Sequence, residues 1–146
     1  MASRWRSSGR PVSLSQFRGR RYVLLNFWAS WCEFCKRDMP RLQALQDRYP
    51  RQMVVLGVNA DEQSPGAGVA AARRLQVTYP VLLEGDQVMA QYAAVGFPTT
   101  YLIDPGGRIV EGQVGADPGL WPRVEAIVSR FQPPGEGIYY TGVSQA

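Results

Sequence analysis

The chain has 146 residues, enough for one domain with a single hydrophobic core. Apolar residues make up 45% and charged residues 19%, as in ordinary soluble globular proteins, and no apolar run reaches the roughly 18 residues that a membrane span requires. The net charge is +4, cysteine occurs twice and histidine is absent, which excludes the most common catalytic base and metal ligand.

Six arginines precede Glu33, the first acidic residue of the chain. Such a segment could touch nucleic acid or anionic lipid, but a solvated arm has the same composition, and we expect the solvated arm. The opening residues lack the apolar core of a secretory signal, so either the protein is cytosolic or the sequence starts after a signal or anchor. The predicted organisation is a basic N-terminal arm over 1–11, a folded domain over 12–132 and a flexible C-terminal tail over 133–146.

Predicted strands and helices alternate along the folded domain. Nearly continuous apolar runs predict strands buried on both faces at 21–29 and 52–59, and helical spacing predicts a long helix over 33–48. The later pattern predicts, in order, a helix at 69–75, a strand at 79–83, a helix at 87–94, a strand at 99–104, its hairpin partner at 108–114 and a helix from Asp117 to about 131. This order implies an α/β fold with a central mixed sheet flanked by helices.

Cys32 and Cys35 lie directly after the first buried strand, at the start of the long helix. Free N–H groups and the positive end of the helix dipole favour a thiolate, so Cys32 is the predicted nucleophile. Cys35 follows one turn later on the same face, within reach to resolve a mixed disulfide formed at Cys32. Two buried cysteines without chemistry, or half of a zinc site shared across a dimer, would share this spacing, but the strand–CxxC–helix context favours a redox pair. Two cysteines cannot complete a zinc site alone, and we predict no metal and no cofactor.

Residues 27–32, followed by Cys35 and Lys36, resemble the signature of the thioredoxin family. The lead-in over 12–20 and the stretch over 96–109 resemble one branch of it, the TlpA/ResA/CcmG-like reductases. The resemblance covers about residues 12–131 and implies a thioredoxin fold. It also implies reduction of protein disulfides outside the cytoplasm, often in cytochrome c maturation, with electrons from a membrane donor of the DsbD/CcdA type.

The resemblance assigns substrate contacts around the pair. Pro98 matches the cis-proline that faces the CxxC motif in this family. Phe97, which precedes it, is bulkier than the usual Thr, Val or Ile; it is expected to contact substrate, although its apolar ring suits the core equally well. Trp31 is expected on the exposed rim beside Cys32, with Trp28 packed beneath.

Glu62 is the predicted proton acceptor. Typical thioredoxins place a buried aspartate where this chain has Asn26, and an amide cannot titrate. The ResA-like branch instead carries a glutamate after a Val-Asn-x-x step, which residues 58–62 match, with Asp61 as the rival acid. A carboxylate near two sulfurs is pushed towards protonation, so it can exchange a proton with Cys35.

The dipeptide between the cysteines departs from the branch. Phe34 replaces the usual proline, which leaves the first helical turn less rigid. Glu33 opposes a thiolate at Cys32 but is itself favoured at a helix N-terminus, so its net effect should be small. The expected reduction potential is on the reducing side, about −270 mV as in thioredoxin.

The predicted function is therefore disulfide reduction by a monomer that works outside the cytoplasm and binds no nucleic acid. The alternatives are a general cytosolic thioredoxin, a Cu(I) carrier on the same fold and a binding module with a structural disulfide. Asn26 and Glu62 count against the first, and the absence of histidine counts against the second. The shortness of the loop between the cysteines counts against the third, because closing it constrains little of the unfolded chain.

Overall fold

The computed structural model describes residues 4–7, 10–60, 65–83 and 96–134. The strands are β1 (Arg4–Ser7), β2 (Arg10–Ser13), β3 (Tyr22–Trp28), β4 (Met53–Asn59), β5 (Val81–Leu82), β6 (Thr99–Ile103) and β7 (Ile109–Val114). The helices are α1 (Glu33–Arg48), α2 (Pro65–Arg74) and α3 (Leu120–Val128), and a 3-10 turn spans Leu14–Phe17. In the part of the chain that the structure describes, no helix has the length and apolar character needed to cross a membrane.

A mixed sheet with the strand order β5-β4-β3-β6-β7 forms the centre of the fold. Strands β3, β4 and β5 are parallel, while β6 is antiparallel to β3 and β7 is antiparallel to β6. The central strand β3 pairs with β4 along its whole length on one side and with β6 on the other. The predicted α/β fold with a central mixed sheet is confirmed.

Both faces of β3 are buried, which explains its nearly continuous apolar sequence. Leu24 points to one face and packs with Leu42 of α1 and Val124 of α3. Leu25 points to the opposite face and packs in a second cluster, against which Phe17 of the N-terminal segment lies. Because successive strand residues alternate between these two clusters, the position of β3 is fixed from both sides.

Helix α1 has the predicted bounds and buries one face, although Phe34, which belongs to its apolar spacing, is exposed. Cys35, Met39, Leu42 and Leu45 lie on that buried face. Pro40 lies inside α1 on its exposed side, and the helix continues through it. The first turn of α1 is therefore held against the sheet just beyond the end of β3.

The N-terminal segment differs from the expected arm. β1 and β2 pair as an antiparallel hairpin, with Arg4 opposite Ser13 and Ser7 opposite Arg10. Such short strands carry no clear alternation of apolar and polar residues, so no period-two pattern predicts them. The predicted helix at 87–94 and the tail beyond residue 134 lie outside the described residues.

Two helices begin elsewhere than predicted. Helix α2 starts earlier, at Pro65, because proline suits the first helical position although it lies among turn-forming residues. Helix α3 starts later, at Leu120. The Oδ1 of Asp117 accepts the N–H of Gly119 and its carbonyl accepts the N–H of Leu120, which forms a turn ahead of the helix. Arg130 and Phe131 make i→i−3 bonds to Ile127 and Val128, so α3 proper ends before Phe131.

Candidate active site

The two cysteines meet where β3 ends and α1 begins. Cys32 is the N-cap of α1, with an extended backbone at φ −90° and ψ 109°. Its Sγ accepts the N–H of Cys35 at 3.2 Å, as the side-chain oxygen of an ordinary N-cap residue does. Cys32 and Cys35 are joined in a disulfide, with their Cα atoms 5.2 Å apart. The Cys32 sulfur thus lies at the positive end of the helix, where negative charge is favoured.

The two sulfurs differ in their access to solvent. Cys32 is 7% exposed, whereas Cys35 is completely buried. Trp28, Met39 and Ala71 pack in the same cluster as the pair. A partner can therefore reach Cys32 directly, and Cys35 can act only on a group that Cys32 already holds.

Aromatic side chains border the surface at Cys32. Trp31 is 68% exposed, and its ring meets that of Phe97 edge to face with the centroids 5.4 Å apart. Phe97 is half-buried and also packs against the cysteine cluster, so it belongs to both the rim and the core. The Phe97–Pro98 peptide bond is cis and Pro98 is buried. The structure thus brings these predicted contact residues to the pair, while their role in binding substrate stays a prediction.

The dipeptide between the cysteines presents a ring and an ion pair. Phe34 is 55% exposed, and the guanidinium of Arg37 lies over its ring, 5.3 Å from the centroid. The carboxylate of Glu33 pairs with Nζ of Lys36 at 2.9 Å, and this hydrogen bond and charge lower the pKa of Glu33. Because Lys36 offsets its charge, Glu33 adds little negative potential at Cys32.

Comparison with known proteins identifies the family. The model of the AhpC/TSA family matches residues 3–111. The chain belongs to the AhpC/TSA family. Thioredoxin-like protein YneN of Bacillus subtilis is 37% identical to it over 110 residues, which are 74% of this chain and 64% of YneN. Thiol-disulfide oxidoreductase ResA of Geobacillus thermodenitrificans is 39% identical over 104 residues, which are 69% of this chain and 58% of ResA. The chain thus spans less than two thirds of the length of these relatives.

Comparison with a solved structure concerns the fold of this member of the AhpC/TSA family. The thioredoxin domain of a thiol-disulfide oxidoreductase from Bacteroides vulgatus has a TM-score of 0.77 and 28% sequence identity, covering 88% of this chain and 94% of that one. The predicted thioredoxin fold and the resemblance to ResA-like proteins are confirmed.

Asp38 is an acidic residue near the pair that the sequence analysis missed. It follows Cys35 by one helical turn on the buried face of α1 and is only 8% exposed. Burial raises the pKa of its carboxyl, and the charge of Arg41 opposes that shift less strongly. The signal was present in the sequence, because Asp38 lies at the apolar spacing of α1, where an acid is out of place.

Further polar groups are buried behind the pair. Asn26, at the position of the usual aspartate, donates from Nδ2 to Oγ1 of Thr100 at 3.0 Å. Tyr79 is nearly buried, and both its burial and the charge of Asp38 raise the pKa of its hydroxyl. Within the described residues, the Tyr79 hydroxyl and the Trp28 indole N–H have no hydrogen-bond partner. Bulk water therefore screens the charge of the Asp38 carboxylate only weakly where these polar groups lie.

Glu62 and its rival Asp61 lie outside the described residues. The last described residue before them, Ala60, donates its N–H to the carbonyl of Trp28 at 3.0 Å. Ala60 thus lies beside the end of β3, from which the cysteine loop leaves. The role of Glu62 as a proton acceptor stays a prediction.

Proposed function

We propose that the protein is an enzyme that reduces disulfides of protein substrates through Cys32 and Cys35. The observation that supports this most directly is the placement of the Cys32 sulfur at the N-cap of α1, where it accepts the N–H of Cys35 while Cys35 is buried. This placement favours the thiolate, which is the reactive form of cysteine. Relatives and structural neighbours named thiol-disulfide oxidoreductases support the same activity.

The proposed reaction has two exchange steps. The Cys32 thiolate attacks one sulfur of the substrate disulfide; that bond breaks, a mixed disulfide forms, and the released substrate sulfur takes up a proton. Cys35 then gives up its proton and attacks the Cys32 sulfur, which releases the second substrate thiol. Two electrons pass to the substrate, and the protein ends in the Cys32–Cys35 disulfide state of the structure.

A carboxyl behind the pair accepts the Cys35 proton in this proposal. Asp38 is one candidate, since it lies one turn after Cys35 on the same buried face. Because burial raises its pKa towards the working pH, it is better suited to exchange protons than an exposed acid. Glu62 is the other candidate, on the strength of the Val-Asn-x-x match.

Substrate contact is assigned to Trp31, Phe97 and Pro98. An extended substrate segment would lie along the backbone before Pro98, in a short version of strand addition. The exposed ring of Trp31, held by Phe97, would cover the residues that flank the substrate cysteine.

The resemblance to the ResA-like branch supports a proposal for the cellular setting. We place the protein outside the cytoplasm as a monomer, in cytochrome c maturation or general thiol homeostasis, with re-reduction by a membrane donor of the DsbD/CcdA type. In cells that lack such a donor, the protein should accumulate in its oxidised form, as alkylation of its free thiols would reveal. An unchanged thiol state would contradict this electron source.

The decisive experiment compares two single variants in the reduction of insulin disulfides. Cys32→Ser should abolish turnover, while Cys35→Ser should stop at a covalent conjugate with the substrate that added reductant releases. A conjugate that forms equally well in Cys32→Ser would contradict the assigned order of attack. Titration against glutathione should give a potential near the value of about −270 mV for thioredoxin, and a potential above about −150 mV would contradict a reductase.

A further inference from the structure

Arginine side chains gather at the end of the molecule opposite the cysteine pair. They lie in the loops before β3, β4 and β7 and after α3, and six of them define an arginine surface: Arg18, Arg20, Arg21, Arg51, Arg108 and Arg130. We propose that the arginine surface binds the anionic headgroups of a lipid bilayer and leaves the cysteine pair facing away from it.

Contacts between the loops make these residues one surface. The N–H of Gly19 donates to the carbonyl of Pro105 at 2.8 Å, which joins the turn before β3 to the turn before β7. The guanidinium of Arg18 lies against Gly107 in that second turn. Arg18, Arg20 and Arg108 are therefore neighbours, and all three are exposed.

Two further contacts extend the surface across the end of the sheet. The N–H of Tyr22 donates to the carbonyl of Gln52 at 2.9 Å, which brings Arg51 beside Arg21. The rings of Tyr22 and Phe131 meet with centroids 5.3 Å apart, which brings Arg130 to the same end. These contacts spread the arginine surface over the loops before β3, β4 and β7 and the segment after α3 rather than along one element.

Positive charge remains in excess at this end. Among the described residues, the carboxylates there are Asp47, Asp104 and Glu125. Glu125 pairs with Arg48 at 2.8 Å, so these two charges offset one another outside the arginine surface. The Oδ1 of Asp104 accepts the backbone N–H of Arg108. Arg51 has an interaction of its own, so two described carboxylates are left against the other five guanidinium groups, which stay charged at every physiological pH.

Exposed aliphatic side chains at the same end favour lipid over nucleic acid. Ile109 is 51% exposed and Val110 is 42% exposed, directly after Arg108. Aliphatic residues beside basic ones suit the boundary between headgroups and acyl chains. Surfaces that bind single-stranded nucleic acid add aromatic rings for base stacking. The exposed rings in the described residues, Trp31 and Phe34, lie instead beside the cysteines.

The fold separates the arginine surface from the site. Strand β3 has 7 residues and runs from the arginine surface to the cysteine loop, a distance of roughly 20 Å at about 3.3 Å per residue. A bilayer that contacts the arginine surface would leave Cys32 and Trp31 open to a substrate from the opposite side.

Sedimentation with lipid vesicles tests the proposal on the full chain. Binding should require phosphatidylglycerol in phosphatidylcholine vesicles and should weaken as salt is added. The triple variant Arg18→Gln, Arg20→Gln, Arg108→Gln should lower the partition coefficient at least about tenfold. The matched control Lys36→Gln, Arg37→Gln, Arg41→Gln removes the same charge near the cysteines and should bind as the unmodified protein does, with circular dichroism confirming that both variants fold.

Other results would overturn the proposal. Equal losses in the two triple variants would show that net charge alone drives binding. Binding to duplex DNA or RNA with no binding to the vesicles would assign the surface to nucleic acid instead, and no binding to either at low salt would remove the surface as a docking site. A loss of insulin reduction on vesicle binding would contradict the proposed orientation.

Discussion

Replacing Trp31 with alanine should separate substrate binding from folding. The Trp31 side chain is 68% exposed, and its ring packs edge to face against that of Phe97. Such a pair contributes about 0.5–1.5 kcal/mol, so the free energy of unfolding should fall by no more than that. An aromatic side chain that anchors a partner contributes about 2 kcal/mol or more to binding. The variant should therefore lose about 30-fold in kcat/KM for a protein disulfide.

The assay compares two disulfides that differ in what surrounds the sulfur atoms. Insulin presents chain on both sides of its disulfides, whereas hydroxyethyl disulfide presents almost none. Trp31→Ala should slow the reduction of insulin and leave the reduction of hydroxyethyl disulfide nearly unchanged, because the Cys32 thiolate itself is not altered. Val110→Ala, which trims an exposed apolar side chain far from the cysteines, is the matched control and should change neither rate.

Two results would refute this reasoning about Trp31. An equal loss with both disulfides would mean that Trp31 acts on the Cys32 sulfur rather than on the substrate segment. An unchanged kcat/KM for insulin would remove Trp31 from substrate binding. Because the rings of Trp31 and Phe97 touch, the double variant should lose less than the sum of the two single losses in free energy.

Asp38→Asn should stabilise the folded protein more at neutral pH than below pH 3.8, because burial raises the pKa of this carboxyl and its ionisation, which grows as pH rises, disfavours the fold. Urea unfolding at the two pH values measures this, and an equal effect at both would contradict it. Cys32→Ala should be about 1 kcal/mol less stable than Cys32→Ser under reducing conditions, because serine keeps the N-cap acceptor that alanine lacks; equal urea midpoints would show that the cap adds nothing. Glu62→Gln should slow the resolution of a mixed disulfide by Cys35 without unfolding the protein, and unchanged thiol pKa values and reduction rates would remove Glu62 from the mechanism.

The cysteine pair and its helix could be predicted because their signals are local. The apolar run that forms β3, the CxxC spacing and the apolar spacing of α1 all lie within residues 22–48. Each of them specifies its structure without reference to distant parts of the chain. Their agreement places Cys32 at the start of a helix, and the structure has it there as the N-cap.

The hairpin of β1 and β2 and the bounds of α3 could not be predicted in the same way. The hairpin forms by backbone pairing between β1 and β2, and its residues show no clear alternation of apolar and polar side chains that would predict a strand. The start of α3 depends on whether Asp117 caps the helix or closes a turn ahead of it, and both uses suit an aspartate before a proline. The contact of Trp31 with Phe97 joins residues far apart in sequence, and neither the local patterns nor the resemblance predicted it.

The buried acid of this chain lies on a helix, not at the strand position that carries an aspartate in typical thioredoxins. Asn26 occupies the strand position of the usual aspartate and is engaged with Thr100, so β3 offers no titrating group behind the pair. Asp38 lies instead on the buried face of α1, one helical turn after Cys35. If the proton acceptor lay on β3, the packing of α1 on the sheet would set the distance between the acceptor and Cys35. Asp38 shares the helical backbone of Cys35, so the i, i+3 geometry sets their separation and any shift of α1 moves both together. If Asp38 takes the Cys35 proton, that transfer should therefore tolerate core substitutions under α1 that alter the packing of the helix on the sheet.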